Sequence, residues 1–240
     1  MLYYVIRINE KRNYMPFYMY NTSYLMLILP FMALALYAQF KVSSTYSKYS
    51  KVDNTSYLSG AQVARAILDR NGLSDVQINQ VRGNLSDHYD PRNRTVNLST
   101  SVYNDHSVAA AGVAAHEVGH AIQHAKGYIP LKVRSAIAPA VSITSSFVWL
   151  FIGIGFMFSY TPLVNIGIII FALTVIFQVI TLPVEFNASR RAIKQLDSSL
   201  IGTGEIHGVK QVLGAAALTY IAATLVALVQ LIHLISRNRD

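Results

Sequence analysis

The stretch SAIAPAVSITSSFVWLFIGIGFMFSYTPLVNIGIIIFALTVIFQVITLPV, residues 135–184, contains fifty residues without one charged side chain. A membrane-spanning helix needs about 20 predominantly apolar residues, so this stretch has room for two. The sequence SYTP at 159–162 predicts a tight turn between them. We therefore predict a hairpin of two spans, at residues 136–158 and 163–182, which returns the chain to the side of the membrane from which it came.

Two further stretches without charge, residues 14–40 and 211–236, flank this hairpin at a distance. They predict two more spans, at 20–40 and 211–236, and an N-terminal extension at 1–19. One large soluble core is the alternative, but soluble helices of this length show a polar face. A cleaved signal peptide is the alternative for the first span. No small-residue cleavage site follows it, and Lys41 comes at once, which favours a retained anchor.

Composition supports a membrane protein. The chain is 52% hydrophobic and only 13% charged, whereas about 25% charged residues is usual for a soluble domain. The absence of cysteine excludes disulfides and thiolate metal sites. The net charge of +8 indicates basic loops beside a lipid bilayer rather than binding to nucleic acid.

The distribution of basic residues predicts an orientation. Nine of them lie close to spans on the side that carries residues 41–135 and 183–210: Lys41, Lys48, Lys51, Lys132, Arg134, Arg190, Arg191, Lys194 and Lys210. Five lie on the other side: Arg7, Lys11, Arg12, Arg237 and Arg239. Because basic loops stay in the cytoplasm, we expect residues 41–135 and 183–210 to face it, in a multi-pass protein of the cell membrane.

The sequence HEVGH, residues 116–120, comes shortly before the hairpin, within VAAAGVAAHEVGHAIQHA, which contains no proline. On an α-helix, His116 and His120 share one face and can bind one zinc ion. Glu117 lies about 100° around the helix, beside the metal, where it can hold a water molecule. Ser107 or Asp105 can cap the start of this helix. The alternative is a buried helix whose histidines only form hydrogen bonds.

The rest of the portion at 41–135 predicts a small α+β unit. Ser59 and Gly72 bound a short amphipathic helix, and VQINQV (76–81) alternates like a strand. In DHYDPRNRTVNLS (87–99), the DPRN segment predicts a turn between two short extended pieces. TVNLS is then either a strand edge that pairs with a substrate backbone or part of an ordinary hairpin.

A catalytic zinc site usually has three protein ligands and a water molecule. The pattern HExxHxxGxxH fails, because Gln123 and Lys126 occupy its glycine and third-histidine positions. A downstream acid is the alternative, and the acids between His120 and Ile235 are Glu185, Asp197 and Glu205.

Glu185 is the best placed of these acids, because it directly follows the hairpin and so emerges on the side that carries HEVGH. The alternative for Glu185 is a boundary carboxylate paired with Arg190 or Arg191. We expect residues 183–210 to start a new helix, with proline in its first turn, that carries this third ligand.

Other side chains remain open from the sequence. His124 continues the face of His120 and is either a fourth ligand or an ordinary helical residue. An oxyanion has four candidate donors: Tyr89, Arg190, Arg191 and His207. The weaker histidines are His88, His106, His207 and His233.

Six pieces of the chain carry a resemblance to a known family: AQF, KYSKV, GAQVARAILDRNGL, DHYDPRNRTVNLS, GVAAHEVGHAIQHA and LPVEFNASRRA. From about residue 24 to 235 the chain resembles the YugP-like neutral zinc metallopeptidases of bacterial membranes. More remotely, EFNAS is similar to the E-x-x-x-D segment of membrane gluzincins, including the HtpX-type proteases. This likeness implies that Glu185 is the third zinc ligand and that the α+β portion is zincin-like. The chain departs from it at Ser189, where the wider group has aspartate.

Together these observations predict a membrane-bound zinc metalloendopeptidase. His116, His120 and Glu185 bind Zn²⁺, and Glu117 is the general base toward a metal-activated water. The substrate is a peptide or protein, either soluble or membrane-associated. A catalytically inactive metal-binding scaffold or chaperone is the main alternative. A transporter is disfavoured, because the predicted spans contain no acidic residue.

Overall fold

The structure is a computed structural model, and it describes residues 22–83, 86–196 and 200–238. The predicted extension at 1–19 lies outside these residues. Within the described part, the elements follow one another as α1 (Thr22–Tyr49), α2 (Gly60–Arg70), β1 (Gln77–Val81), β2 (His88–Asp90), β3 (Thr95–Ser99), α3 (Thr100–Tyr103), α4 (Val108–Ala125), α5 (Ile129–Ser145), α6 (Val148–Met157), α7 (Thr161–Leu196) and α8 (Glu205–Arg237).

Four helical segments are long and apolar enough to cross a bilayer: Tyr24–Tyr49, Ile129–Met157, Thr161–Leu196 and Glu205–Arg237. The prediction of a mainly α chain with four spans and a small α+β portion is thereby confirmed. The second segment consists of α5 and α6. It begins at Ile129, several residues before the predicted span at 136–158, and α8 begins at Glu205, several residues before the predicted span at 211–236. Lys132 and Arg134 therefore belong to a helix rather than to a loop.

Helix α7 continues through Pro183 without interruption, so the expectation of a new helix at residue 183 is wrong. Proline lacks an N–H and withholds one bond from the carbonyl of Val179. The helix nevertheless persists, because α4 and α5 pack against α7 along this part of its length. Glu185 is consequently carried by the same rigid rod that forms the third span.

The sheet has three strands in the order β1-β3-β2. β3 runs parallel to β1 and antiparallel to β2, with Tyr89 opposite Val96. TVNLS is thus the buried central strand, so its expected role as a free edge is wrong and the hairpin interpretation is correct. The edge strands of this sheet are β1 and β2, and β2 contacts α4.

The core of the α+β portion forms around α4. This helix packs against α2, against the C-terminal end of α7 and against the first turns of α8. The buried apolar residues there include Ile67, Leu98, Val118, Leu196 and Val209. A second apolar cluster joins α6, α7 and the far end of α8 within the spans. Since α7 and α8 contribute to both clusters, they join the α+β portion to the membrane bundle.

Candidate metal centre

Helix α4 places the two histidines of HEVGH side by side. Ser107 caps the helix, since its Oγ accepts a hydrogen bond of 3.1 Å from the N–H of Ala110. The rings of His116 and His120 lie 4.8 Å apart, edge to face. They occupy one face of the helix, as the spacing of four residues predicts.

Gly119 allows α7 to cross α4 very closely. A Cβ atom at this position would lie 2.6 Å from the carbonyl oxygen of Ala188, a separation that real Cβ atoms do not tolerate. Because the two backbones meet here, Glu185, about one turn before Ala188, reaches the histidine face of α4. Glycine is therefore the residue that permits this helix crossing.

Glu185 meets both histidines through one oxygen atom. Its Oε2 lies 3.2 Å from Nε2 of His116 and 3.7 Å from Nε2 of His120. All three side chains offer a ligand atom within 4.8 Å of one another, and Glu185 is only 4% exposed. The fold thus brings together the three side chains that the sequence predicts as metal ligands.

The donor set fits a zinc ion. Ligand atoms that lie about 2.0–2.2 Å from a tetrahedral zinc are separated from each other by roughly 3.3–3.5 Å. The separations of 3.2 and 3.7 Å between the glutamate and the two histidines bracket this range. Two imidazoles and one carboxylate also match the ligands of catalytic zinc sites that keep a position open for water.

Each histidine uses its other ring nitrogen to contact a neutral side chain. Nδ1 of His116 lies 3.1 Å from Oγ of Ser189, and Nδ1 of His120 lies 3.0 Å from Oε1 of Gln123. If each Nδ1–H donates to its oxygen, both Nε2 atoms keep the lone pair that metal ligation requires. Ser189 therefore contacts His116 with a neutral hydroxyl group.

Gln123 also joins α4 to α7. Its side chain is fully buried. Its Nε2 donates to the carbonyl of Val184 at 2.8 Å and to Oδ1 of Asn187 at 3.0 Å. Arg191 in turn donates to the same Asn187 oxygen at 2.7 Å. This network engages Arg191, so the expected alternative of Arg191 paired with Glu185 is not what forms.

The second oxygen of Glu185 faces α5 and α8. Nη1 of Arg134 lies 3.2 Å from Oε1, and Tyr220 lines the same cavity as this carboxylate. One oxygen of Glu185 is thus turned to the histidines and the other is held by a cation. Sequence reasoning missed both residues. Arg134 read only as a membrane boundary, and Tyr220 lies in an apolar span with no signal of its own.

Glu117 lies next to the three candidate ligands without joining them. Glu117 is 8% exposed, and burial raises the pKa of its carboxyl group to about 7. Tyr89, on strand β2, lines the same cavity as Glu117. A carboxyl group with a pKa near neutrality suits proton transfer at physiological pH.

A cavity of about 490 Å³ opens in front of these side chains. One wall comes from the sheet and the turn after β2, and the opposite wall comes from α5, α7 and α8. The three candidate ligands and Glu117 line this cavity. The other lining residues are Asp87, His88, Tyr89, Pro91, Arg92, Leu131, Arg134, Ser135, Ala138, Phe177 and Tyr220. The volume is typical of a binding site for a small ligand or a short stretch of peptide.

The remaining histidines do not join the three candidate ligands. His124 does not join the cluster, because its Nδ1 is 2.9 Å from the hydroxyl of Tyr89. That contact engages Tyr89 as well. Near the start of α8, Nε2 of His207 lies 2.6 Å from Nε2 of Gln211. His106 stacks on a tyrosine ring, and so does His233.

The fold and the site together define a multi-pass helical membrane protein with a two-histidine, one-glutamate cluster that fits zinc. Residues 24–239 match the family model described as "Putative neutral zinc metallopeptidase", and the chain belongs to that family. It is 48% identical over 215 residues to the "Putative membrane protease YugP" of Bacillus subtilis, which covers 88% of this chain and 95% of the relative. No solved structure shows a significant match. The resemblance to the YugP-like neutral zinc metallopeptidases, expected from the sequence, is confirmed.

Proposed function

We propose that the protein is a zinc-dependent endopeptidase with its active site at the cavity between the sheet and the spans. The observation that carries this proposal is the convergence of Nε2 of His116, Nε2 of His120 and Oε2 of Glu185 beside the buried carboxyl of Glu117. The membership of a zinc metallopeptidase family supports it.

The proposed roles follow from the positions of the side chains. A zinc ion held by His116, His120 and Glu185 would polarise the peptide carbonyl and lower the pKa of a bound water molecule, so that this water loses a proton readily as it attacks the carbonyl carbon. Glu117 accepts the proton of the attacking water and later delivers it to the leaving amine. Tyr220 and Arg134, which face the cavity, are positioned to donate hydrogen bonds to the substrate oxygen on which charge develops.

We further propose that the substrates are membrane-associated polypeptides. Ala138 on α5, Phe177 on α7 and Tyr220 on α8 line the cavity and belong to membrane-spanning helices. The opposite wall belongs to the α+β portion. A polypeptide that emerges from the bilayer meets both walls at once, whereas a soluble peptide must approach along the membrane surface. The excess of basic residues on the side of the site supports a cytoplasmic orientation.

The decisive experiment compares Glu117→Gln with the wild-type protein in detergent. We expect the variant to bind one zinc ion per chain, since none of the three candidate ligands changes, and to lose cleavage of casein and of a membrane-anchored substrate. Asp69→Asn, on the exposed face of α2, is the control and should cleave as the wild type does. Cleavage by Glu117→Gln at the wild-type rate would refute the mechanism. Zinc binding by the wild type without any cleavage would favour the scaffold or chaperone instead.

A further inference from the structure

A second, smaller cavity lies directly beside the candidate metal centre. Its volume is about 190 Å³. It shares Asp87, His116, Glu117, Glu185 and Tyr220 with the larger cavity. Apart from Ser189, its other lining residues are all apolar: Val113, Val212, Leu213, Ala216 and Ala217. We call these five residues the apolar recess.

The recess exists because of the side chains on one face of α8. Val212, Leu213, Ala216, Ala217 and Tyr220 follow the spacing i, i+1, i+4, i+5 and i+8, which places them on one side of a helix. The two alanines leave space where larger residues would fill the gap between α8 and α4. The tyrosine, one turn further, borders both cavities and divides one from the other.

The two helices approach closely just above the recess. A Cβ atom at Gly112 would lie 3.3 Å from Cγ1 of Val209, so α4 and α8 are in tight contact there. Val113, the next residue of α4, and His116, one helical turn further, line the recess together with the two alanines. The recess is therefore bounded by well-packed elements, and its shape is set by the fold rather than by mobile side chains.

We propose that the apolar recess binds the side chain of an aliphatic or aromatic substrate residue next to the scissile bond, and thereby sets the cleavage preference. This inference rests on the proposed peptidase function. The recess is well below the 300–1,000 Å³ of sites for drug-sized ligands, which suits a single side chain. Its apolar walls favour apolar side chains, and its boundary with His116, Glu117 and Glu185 places that side chain beside the bond to be cleaved.

The test measures kcat/KM of the zinc-loaded full chain on peptides that carry Gly, Ala, Leu or Phe on either side of the scissile bond. We expect one of the two positions to favour Leu or Phe over Gly by about tenfold or more, because one methylene in an apolar pocket changes the rate by about 10–200-fold. Ala216→Leu fills the recess. It should lower kcat/KM for the Leu and Phe peptides by about tenfold or more relative to kcat/KM for the Gly and Ala peptides.

Ala223→Leu is the matched control, because Ala223 is exposed on the same helix and does not line either cavity. Its cleavage profile should equal that of the wild type. Ala217→Val is a milder change in the recess that keeps the test available if Ala216→Leu does not fold. Equal rates for all four residues in the wild type, or equal profiles of the recess variants and Ala223→Leu, would overturn the proposal.

A binding measurement separates this inference from the proposed function. Hydroxamates that carry a methyl, isobutyl or benzyl group can be titrated into the zinc-loaded protein without any turnover. We expect the isobutyl and benzyl compounds to bind about tenfold or more tightly than the methyl compound, and Ala216→Leu to abolish the difference. This ranking in a protein that cleaves nothing would support the recess and refute the peptidase. A protein that cleaves peptides but binds all three hydroxamates equally would support the peptidase function and refute the proposed role of the recess.

Discussion

Replacing Gln123 with leucine tests whether the buried contacts between α4 and α7 hold the candidate metal centre in shape. Leucine has nearly the same volume but forms none of the three hydrogen bonds that Gln123 makes with His120, Val184 and Asn187. Each buried hydrogen bond contributes about 1 kcal/mol, so the free energy of unfolding should fall by about 3 kcal/mol. Outer partners of metal-binding histidines are worth about 10–100-fold in metal affinity, and the zinc Kd should rise by that factor.

The assay is competition for zinc against a chromogenic chelator, together with denaturant unfolding of the metal-free protein in detergent. Gln77→Leu is the control, because Gln77 is exposed on β1. Gln123→Glu separates the two halves of the network, since it keeps an acceptor for His120 but loses both donations to α7. It should bind zinc more tightly than Gln123→Leu. A zinc Kd in Gln123→Leu equal to that of Gln77→Leu would refute the assignment of Gln123 as a positioning residue.

Three further substitutions probe other contacts. Gly119→Ala places a Cβ atom 2.6 Å from the backbone carbonyl oxygen of Ala188, so we expect the unfolding free energy to fall by about 1–3 kcal/mol and zinc binding to weaken. Gly214→Ala is the control and should not destabilise the protein, because its Cβ atom meets nothing within 4 Å. Similar melting of the two variants would contradict the close crossing of α4 and α7. Ser189→Ala removes the partner of His116 Nδ1 and should weaken zinc binding about tenfold, with an unchanged Kd as the contrary result. Glu205→Ala removes the carboxylate that accepts hydrogen bonds from the N–H groups of Thr55 and Gly202, both at 2.7 Å. It should lower the unfolding free energy by about 1 kcal/mol at an unchanged zinc Kd. A stability equal to that of the wild type would show that these two hydrogen bonds do not stabilise the fold.

The sequence was sufficient for features that depend on local order. The bilayer requires long apolar helices, so charge-free stretches reveal the spans directly. The helical period places His116 and His120 on one face wherever the helix forms. The predicted turn between β2 and β3 is equally local. The break expected at Pro183 failed because packing of α4 and α5 against α7 outweighs the loss of one backbone hydrogen bond.

The contacts between distant parts of the chain were decided by the tertiary structure. Position along the chain placed Glu185 on the side that carries HEVGH, but only the crossing of α4 and α7 at Gly119 brings its Oε2 within 3.2 Å of His116. Gln123, Arg134 and Tyr220 carry no recognisable pattern, because their roles arise from atoms that α7 and α8 present after folding. A helix determines its own faces from the identity of its residues. Which faces meet depends on the shapes of two surfaces, and no single stretch of sequence contains both.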